Sequence, residues 1–215
     1  GGRGGGHTLW AYDQNLRPLW RHTLDSPMYG HNICFCDVDG DGRDEVVAGY
    51  WALTPEGKLL WRVEHGDDIP GVHHSDTCAS DEFDGDPDNG PEVAVNGGTG
   101  GFYLMSARDG RVRARHMVGH AQGLSVGNFR PDLPGLEILC GTRWDNYGIQ
   151  CVFSGSGEPL APFHPDNVSQ GGPPVNWKGD GGELIFYFST RKVFGLYDGH
   201  GRKVVVFSEG EESPA

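Results

Sequence analysis

Cys36-Asp37-Val38-Asp39-Gly40-Asp41-Gly42-Arg43-Asp44-Glu45 places carboxylates at loop positions one, three and five, a glycine at six and Glu45 at nine. This is the opening of the calcium-loop spacing, in which oxygen ligands on alternate residues surround a hard cation and a glycine turns the backbone. A helix-loop-helix version requires a glutamate at position twelve, and Ala48 stands there, inside the short valine-rich run Glu45-Val46-Val47-Ala48-Gly49. The loop is therefore expected between two strands, holding calcium with Asp37, Asp39, Asp41, Arg43 and Glu45 as the metal set. The alternative is an acidic hairpin turn that simply favours Asp and Gly.

The pattern returns along the chain. Glu82-Phe83-Asp84-Gly85-Asp86 leads to Pro91-Glu92-Val93-Ala94-Val95, Asn128-Phe129-Arg130-Pro131-Asp132 to Leu136-Glu137-Ile138-Leu139, and Asn176-Trp177-Lys178-Gly179-Asp180 to Glu183-Leu184-Ile185-Phe186. The recurring glutamates Glu45, Glu92, Glu137 and Glu183 are 47, 45 and 46 residues apart. A steady period of this size marks a repeat architecture. Only the first loop keeps a full ligand set. The second is stretched by Asp88-Asn89-Gly90, and the third and fourth read as turns held by hydrogen bonds.

A second marker shares the register. Asp13-Gln14-Asn15, Glu56-Gly57, Asp109-Gly110, Ser156-Gly157 and Asp198-Gly199-His200-Gly201 each separate two apolar runs, which is a hairpin signal. Each repeat then reads as four antiparallel strands. The expected fold is all-β, a β-propeller of four-stranded blades.

The expected division is a glycine-rich lead at 1–6, a half-blade at 7–25, blades at 29–65, 72–118, 120–164 and 168–208, and a tail at 209–215. About four and a half blades leave sheet edges and core unpaired. The chain is thus expected to be a fragment of a larger propeller whose remaining blades, from the same parent chain, complete it. A closed four-bladed ring is the alternative.

Composition agrees with a turn-rich β protein, since the chain carries Gly 36 and Pro 14 in 215 residues. The net charge of -13 argues against a nucleic-acid partner, which needs clustered Lys and Arg. No apolar run is long enough to span a membrane as a helix. Five cysteines cannot all pair with one another, and small apolar packing roles are expected for them. Secretion is favoured if the chain acts on a polymer, and the cytoplasm stays open because the cysteines show no pairing pattern.

In such blades the acidic loops and glycine turns share one face of the ring. The opposite face gathers the starts of the inner strands and the loops between second and third strands. At those starts lie His31, His73, His74, Asp76, His120 and Gln122. The loops add Tyr50-Trp51, Asn96-Gly97-Gly98-Thr99-Gly100-Gly101 and Arg143-Trp144-Asp145-Asn146-Tyr147. Imidazoles beside a carboxylate suit a metal or a general base. Arg143 suits a carboxylate partner, Tyr147 proton transfer and Trp144 stacking on a sugar ring. Each histidine taken singly is more often structural, and Trp51 is expected to pack between blades. The glycine run opens no helix, which excludes a dinucleotide fingerprint.

Asp37 to Glu45, Gly119-His120-Ala121-Gln122 and Gly127-Asn128-Phe129-Arg130-Pro131-Asp132-Leu133-Pro134-Gly135-Leu136-Glu137 resemble the β-propeller of rhamnogalacturonan lyases, polysaccharide lyase family 11. Val175-Asn176-Trp177 and Gly195-Leu196-Tyr197-Asp198-Gly199 resemble later blades of that group. The acidic loop is also shared with FG-GAP propellers that have no catalytic role.

The resemblance implies a calcium-binding propeller that cleaves uronate-containing plant polysaccharide by β-elimination. For that reaction the shared face, rather than any match to family positions, assigns the base to His120, neutralisation of the uronate to Arg143 together with an ion near His74 and Asp76, and the acid to Tyr147. His31, His73, His74, Asp76, Gln122, Trp144 and Asn146 then bind the polymer. The contrasting expectation is a non-catalytic propeller that binds carbohydrate or protein through the same face.

Overall fold

The computed structural model describes residues 8–24, 30–63, 74–166, 168 and 171–207. Strands β1 (Thr8–Tyr12) and β2 (Pro18–Thr23) form a two-stranded ribbon. Four sheets of four strands follow, and every neighbouring pair within them is antiparallel and consecutive in the chain. The first comprises β3 (Cys34–Cys36), β4 (Glu45–Val47), β5 (Trp51–Leu53) and β6 (Leu59–Arg62). The second comprises β7 (Thr77–Asp81), β8 (Glu92–Asn96), β9 (Phe102–Ser106) and β10 (Val112–His116). The third comprises β11 (Ala121–Gly127), β12 (Glu137–Thr142), β13 (Gln150–Phe153) and β14 (Pro159–Phe163). The fourth comprises β15 (Pro174–Val175), β16 (Leu184–Tyr187), β17 (Gly195–Tyr197) and β18 (Lys203–Val206). No helix occurs among the described residues.

Alternate side chains of a strand point to opposite faces, and here both faces of the middle strands are covered. In β8, Val93 and Val95 pack with Val47 and Tyr50 of the first sheet, while Ala94 packs with Ile138 and Phe153 of the third. In β12, Ile138 and Cys140 face the second sheet, and Leu139 faces Ile185 and Tyr187 of the fourth. The core is thus a series of layers between consecutive sheets. That double burial explains why Glu92-Val93-Ala94-Val95-Asn96 is buried along its whole length.

The hairpin glycines join sheets as well as strands. A Cβ on Gly57 would lie 2.4 Å from Trp20 of the ribbon, and one on Gly110 would lie 2.5 Å from Trp61 of the first sheet. Each indole also donates to a carbonyl of the next repeat, Trp20 to Pro55 at 2.8 Å and Trp61 to Ala107 at 2.7 Å. Gly201 repeats the arrangement against Phe163. An outer-strand aromatic ring therefore needs a side-chain-free turn in the following sheet.

At the other edge the first strands adjoin, β3 with β7, β7 with β11 and β11 with β15. The far face of the fourth sheet, by contrast, presents an aromatic cluster in which Phe186 contacts Phe188, Phe194 and Phe207, and Phe207 contacts Trp177. Phe188 and Trp177 are exposed there, whereas the corresponding faces of the second and third sheets are covered by the next sheet.

Candidate functional site

The acidic turns sit between the first and second strands of each sheet. In the first, Asp37 Oδ1 accepts the amides of Gly40 and Asp41 at 2.7 and 3.1 Å, and Asp37 Oδ2 accepts Gly42 at 2.9 Å. Buried Glu45 accepts Val38 N–H at 3.0 Å, and burial pushes its carboxyl upward. Oxygens of Asp37, Asp39 and Glu45 come within 4.8 Å of one another, close enough to share a cation. Asp41 lies outside that trio and accepts Arg43 N–H at 2.8 Å, while the Arg43 guanidinium pairs with Glu56 at 2.5 Å.

The second turn gathers Glu82, Asp84 and Glu92 in the same way. Here the Arg113 guanidinium enters, bonded to Glu92 Oε1 and to Asn89 Oδ1, and 3.6 Å from Asp84. A side-chain cation thus offsets these carboxylates. In the third turn Arg130 grips Asp132 with two hydrogen bonds of 2.8 and 2.7 Å, and Glu137 accepts Arg130 N–H at 2.6 Å. The fourth turn departs from the period. Glu183 accepts the amide of Asn128, in the preceding repeat, at 2.9 Å. The reason is a one-residue offset, because β4, β8 and β12 begin with their glutamate whereas β16 begins with Leu184, the residue after it.

At the opposite ends of the inner strands, three sheets converge on one carboxylate. Asp76, just before β7, has a side chain only 3% exposed. Its Oδ1 lies 3.5 Å from His31 Nε2 and 3.3 Å from His74 Nε2, and it accepts Gln122 Nε2 at 3.1 Å. Its Oδ2 makes no hydrogen bond, although His120 Nε2 stands 3.1 Å away. The imidazoles run from open to enclosed, with side-chain exposures of 63% for His31, 42% for His74 and 12% for His120. His31, His74 and Asp76 each offer a ligand atom within a mutual 4.8 Å.

Backbone pairing explains the convergence. His31 N–H donates to Ser75 O at 2.9 Å, and Gly98 exchanges two backbone hydrogen bonds with Ala121, which follows His120. Gly98 has φ of +55°, and a Cβ there would lie 3.2 Å from Asp76 Oδ2 and 3.4 Å from His120 Cε1. Both the left-handed conformation and the close approach favour glycine at this position. Reading the sequence as a glycine-rich loop locates this segment but not its role as the wall of the carboxylate site.

The loop from Arg143 to Tyr147 is tied to the same place through the backbone, Arg143 N–H donating to His120 O at 2.8 Å. The Arg143 guanidinium lies 4.4 Å from the centre of the Trp144 ring. Trp144 and Tyr147 are exposed, and Asn146 Nδ2 donates to Val118 O at 3.2 Å. Trp144 and Asn146 adopt φ of 65° and 56°, a left-handed conformation that is unusual for tryptophan. His31, His74, Asp76, His120 and Gln122 therefore form one group, with Arg143, Trp144, Asn146 and Tyr147 on an adjoining loop. His73 lies outside the described residues. Trp51 is buried beneath Arg62, away from solvent.

No protein-family model matches the chain. It is 32% identical over 166 aligned residues, in an alignment that covers 68% of this chain, to rhamnogalacturonan endolyase YesW of Bacillus subtilis (strain 168). The chain thus resembles a rhamnogalacturonan lyase in sequence. Among solved structures it is similar to the exotype rhamnogalacturonan lyase YesX, with a TM-score of 0.62 and 22% identity, covering 83% of this chain and 30% of that one. It is also similar to the Bacillus licheniformis rhamnogalacturonan lyase PL11, with a TM-score of 0.59 and 21% identity over 82% of this chain and 29% of that one. At that identity the structural likeness speaks to the fold. The chain spans about a quarter of the curated relative it matches, 24% of its length.

Proposed function

We propose that the four sheets are blades of a β-propeller and that the face carrying Asp76 binds uronate-containing plant polysaccharide, rhamnogalacturonan, and cleaves it by β-elimination. One observation carries this reading. Three imidazoles from three sheets meet a buried carboxylate, one oxygen of which lacks a hydrogen bond, at the face where Arg143 and exposed aromatic side chains also lie. Relatedness to the rhamnogalacturonan lyases supports the choice of polymer.

Elimination removes the proton at C5 of the uronate and expels the oxygen at C4. His120, whose Nε2 lies 3.1 Å from Asp76 Oδ2, takes the C5 proton. Arg143 neutralises the uronate carboxylate so that charge developing at C5 is stabilised. Tyr147 returns a proton to the leaving oxygen. His31, His74 and Asp76 fit a cation, and a bound ion there would supply further neutralisation of the uronate. Asp37, Asp39 and Glu45 fit calcium, which would stiffen the first sheet at that turn. The aromatic far face of the fourth sheet suits cover by a further blade of the same parent chain.

The test is ultraviolet absorbance of the unsaturated uronate formed from rhamnogalacturonan by the longer protein that carries this chain, compared with its His120→Ala variant. Absorbance that rises with the first and stays flat with the second is expected. A second reading, a non-catalytic FG-GAP-like propeller that binds carbohydrate or protein, is favoured by the acidic first turn, where Asp37, Asp39 and Glu45 come close enough to share a purely structural cation. Binding of polymer with no absorbance change in either protein would establish it.

A further inference from the structure

Strands β3 and β7 belong to different sheets and run side by side, and two cysteines face each other across that seam. Cys34 Sγ lies 3.5 Å from Cys78 Sγ, with both thiols free. The backbone around the pair is held in register. Asn32 Oδ1 accepts Cys78 N–H at 2.9 Å, and Asn32 Nδ2 donates to Cys78 O at 3.3 Å. A disulfide has sulfurs about 2.05 Å apart, so closure needs the two sulfurs to approach by roughly 1.5 Å.

The remaining cysteines differ in setting. Cys36 is bonded to Ser80, and Cys140 and Cys151 oppose each other inside the third sheet, where a bridge would join strands already paired.

We infer that Cys34 and Cys78 are an oxidisable pair that closes to an intrachain disulfide clasping the first sheet to the second. In the balanced step, two thiols and one molecule of a low-molecular-weight disulfide, oxidised glutathione, give the protein disulfide and two molecules of glutathione thiol. The clasp lies beside the imidazole cluster, since Asn32 follows His31 and His31 N–H is bonded to Ser75 next to Asp76. Oxidation therefore fixes the seam that sets His31 against Asp76. The pair closes a loop of sequence separation 44, long enough for a clear gain in stability.

The experiment equilibrates the folded chain in oxidised glutathione, counts thiols after denaturation and maps disulfide-linked peptides. The thiol count is expected to fall from five to three, with Cys34 linked to Cys78 and a melting temperature about 5–10 °C above the reduced form. Cys34→Ala should then lose no thiol pair, and the wild-type peptide map decides the matter even where that variant folds poorly. Retention of all five thiols, or a bridge between Cys140 and Cys151 alone, overturns the inference. Neither result depends on whether the protein is a lyase.

Discussion

Replacing Glu137 by glutamine isolates one buried charge and gives its contribution a sign. The Glu137 side chain is fully buried at the start of β12, where Oε2 accepts Arg130 N–H at 2.6 Å and Oε1 has no partner. The nearest guanidinium, Arg130, is committed to Asp132. Burial therefore dominates and pushes the carboxyl from the ordinary 4.5 up to about 7. In the folded chain Glu137 holds its proton through a range where the unfolded chain has lost it. Its contribution is fully present below pH 4.5 and is lost as the pH rises to 7. At about 1.4 kcal/mol per pH unit, the difference between 4.5 and about 7 is worth about 3 kcal/mol. Glutamine keeps an oxygen for Arg130 N–H and carries no titration. Urea unfolding followed by tryptophan fluorescence at pH 4.5, 6 and 7.5 should show wild type losing about 3 kcal/mol relative to Glu137→Gln. Stability curves that stay parallel across this range would refute the reasoning.

Calcium at the first turn predicts that chelation lowers the melting temperature by about 5–10 °C from a state saturated at about 100 Kd, and that Asp39→Ala abolishes that sensitivity. An unchanged melting curve on chelation would remove calcium from the account. Trp61→Ala empties the seat on Gly110 and should cost about 3–5 kcal/mol, whereas Trp177→Ala, on the exposed aromatic face, should stay within about 1 kcal/mol in this chain. Equal costs in denaturant titrations would contradict the layered core. Gly98→Ala forces a side chain into the left-handed conformation against Asp76, so unfolding should show a loss of about 1–2 kcal/mol together with weakened polymer binding. A variant as stable as wild type would show that the loop relaxes freely.

The repeat was legible because its determinants are local. Val93, Ala94 and Val95 follow the acidic turn at a fixed distance, and Glu56-Gly57 and Asp109-Gly110 are short-range hairpin signals, so four antiparallel strands per repeat could be written from the residues alone. Contacts between repeats were not legible. Nothing near Gly110 announces that Trp61 rests on it, and nothing in Arg113 announces that it enters the turn of Glu82, Asp84 and Glu92. Glu183 shows the limit of periodicity, since the glutamate recurs at the right spacing yet serves the turn before its own.

The candidate site divides similarly. Strand order brings the starts of the inner strands to one face, which gathers His31, His74 and His120. That Asp76 is their common partner depends on side-chain directions across three sheets, and in a chain this acidic one aspartate looks like any other. The wall formed by Gly98 and the seam formed by Cys34 and Cys78 likewise join residues that are distant in sequence.

The most direct test of the central claim is the absorbance of unsaturated uronate produced from rhamnogalacturonan by the full-length protein and by its Asp76→Asn and His120→Ala variants, each confirmed as folded by circular dichroism. The account predicts a steady rise with the unaltered protein and a loss of at least about a hundredfold in rate with either substitution. Unimpaired cleavage in the variants would place the chemistry elsewhere, and polymer that binds the unaltered protein without any rise would make this face a binding surface only.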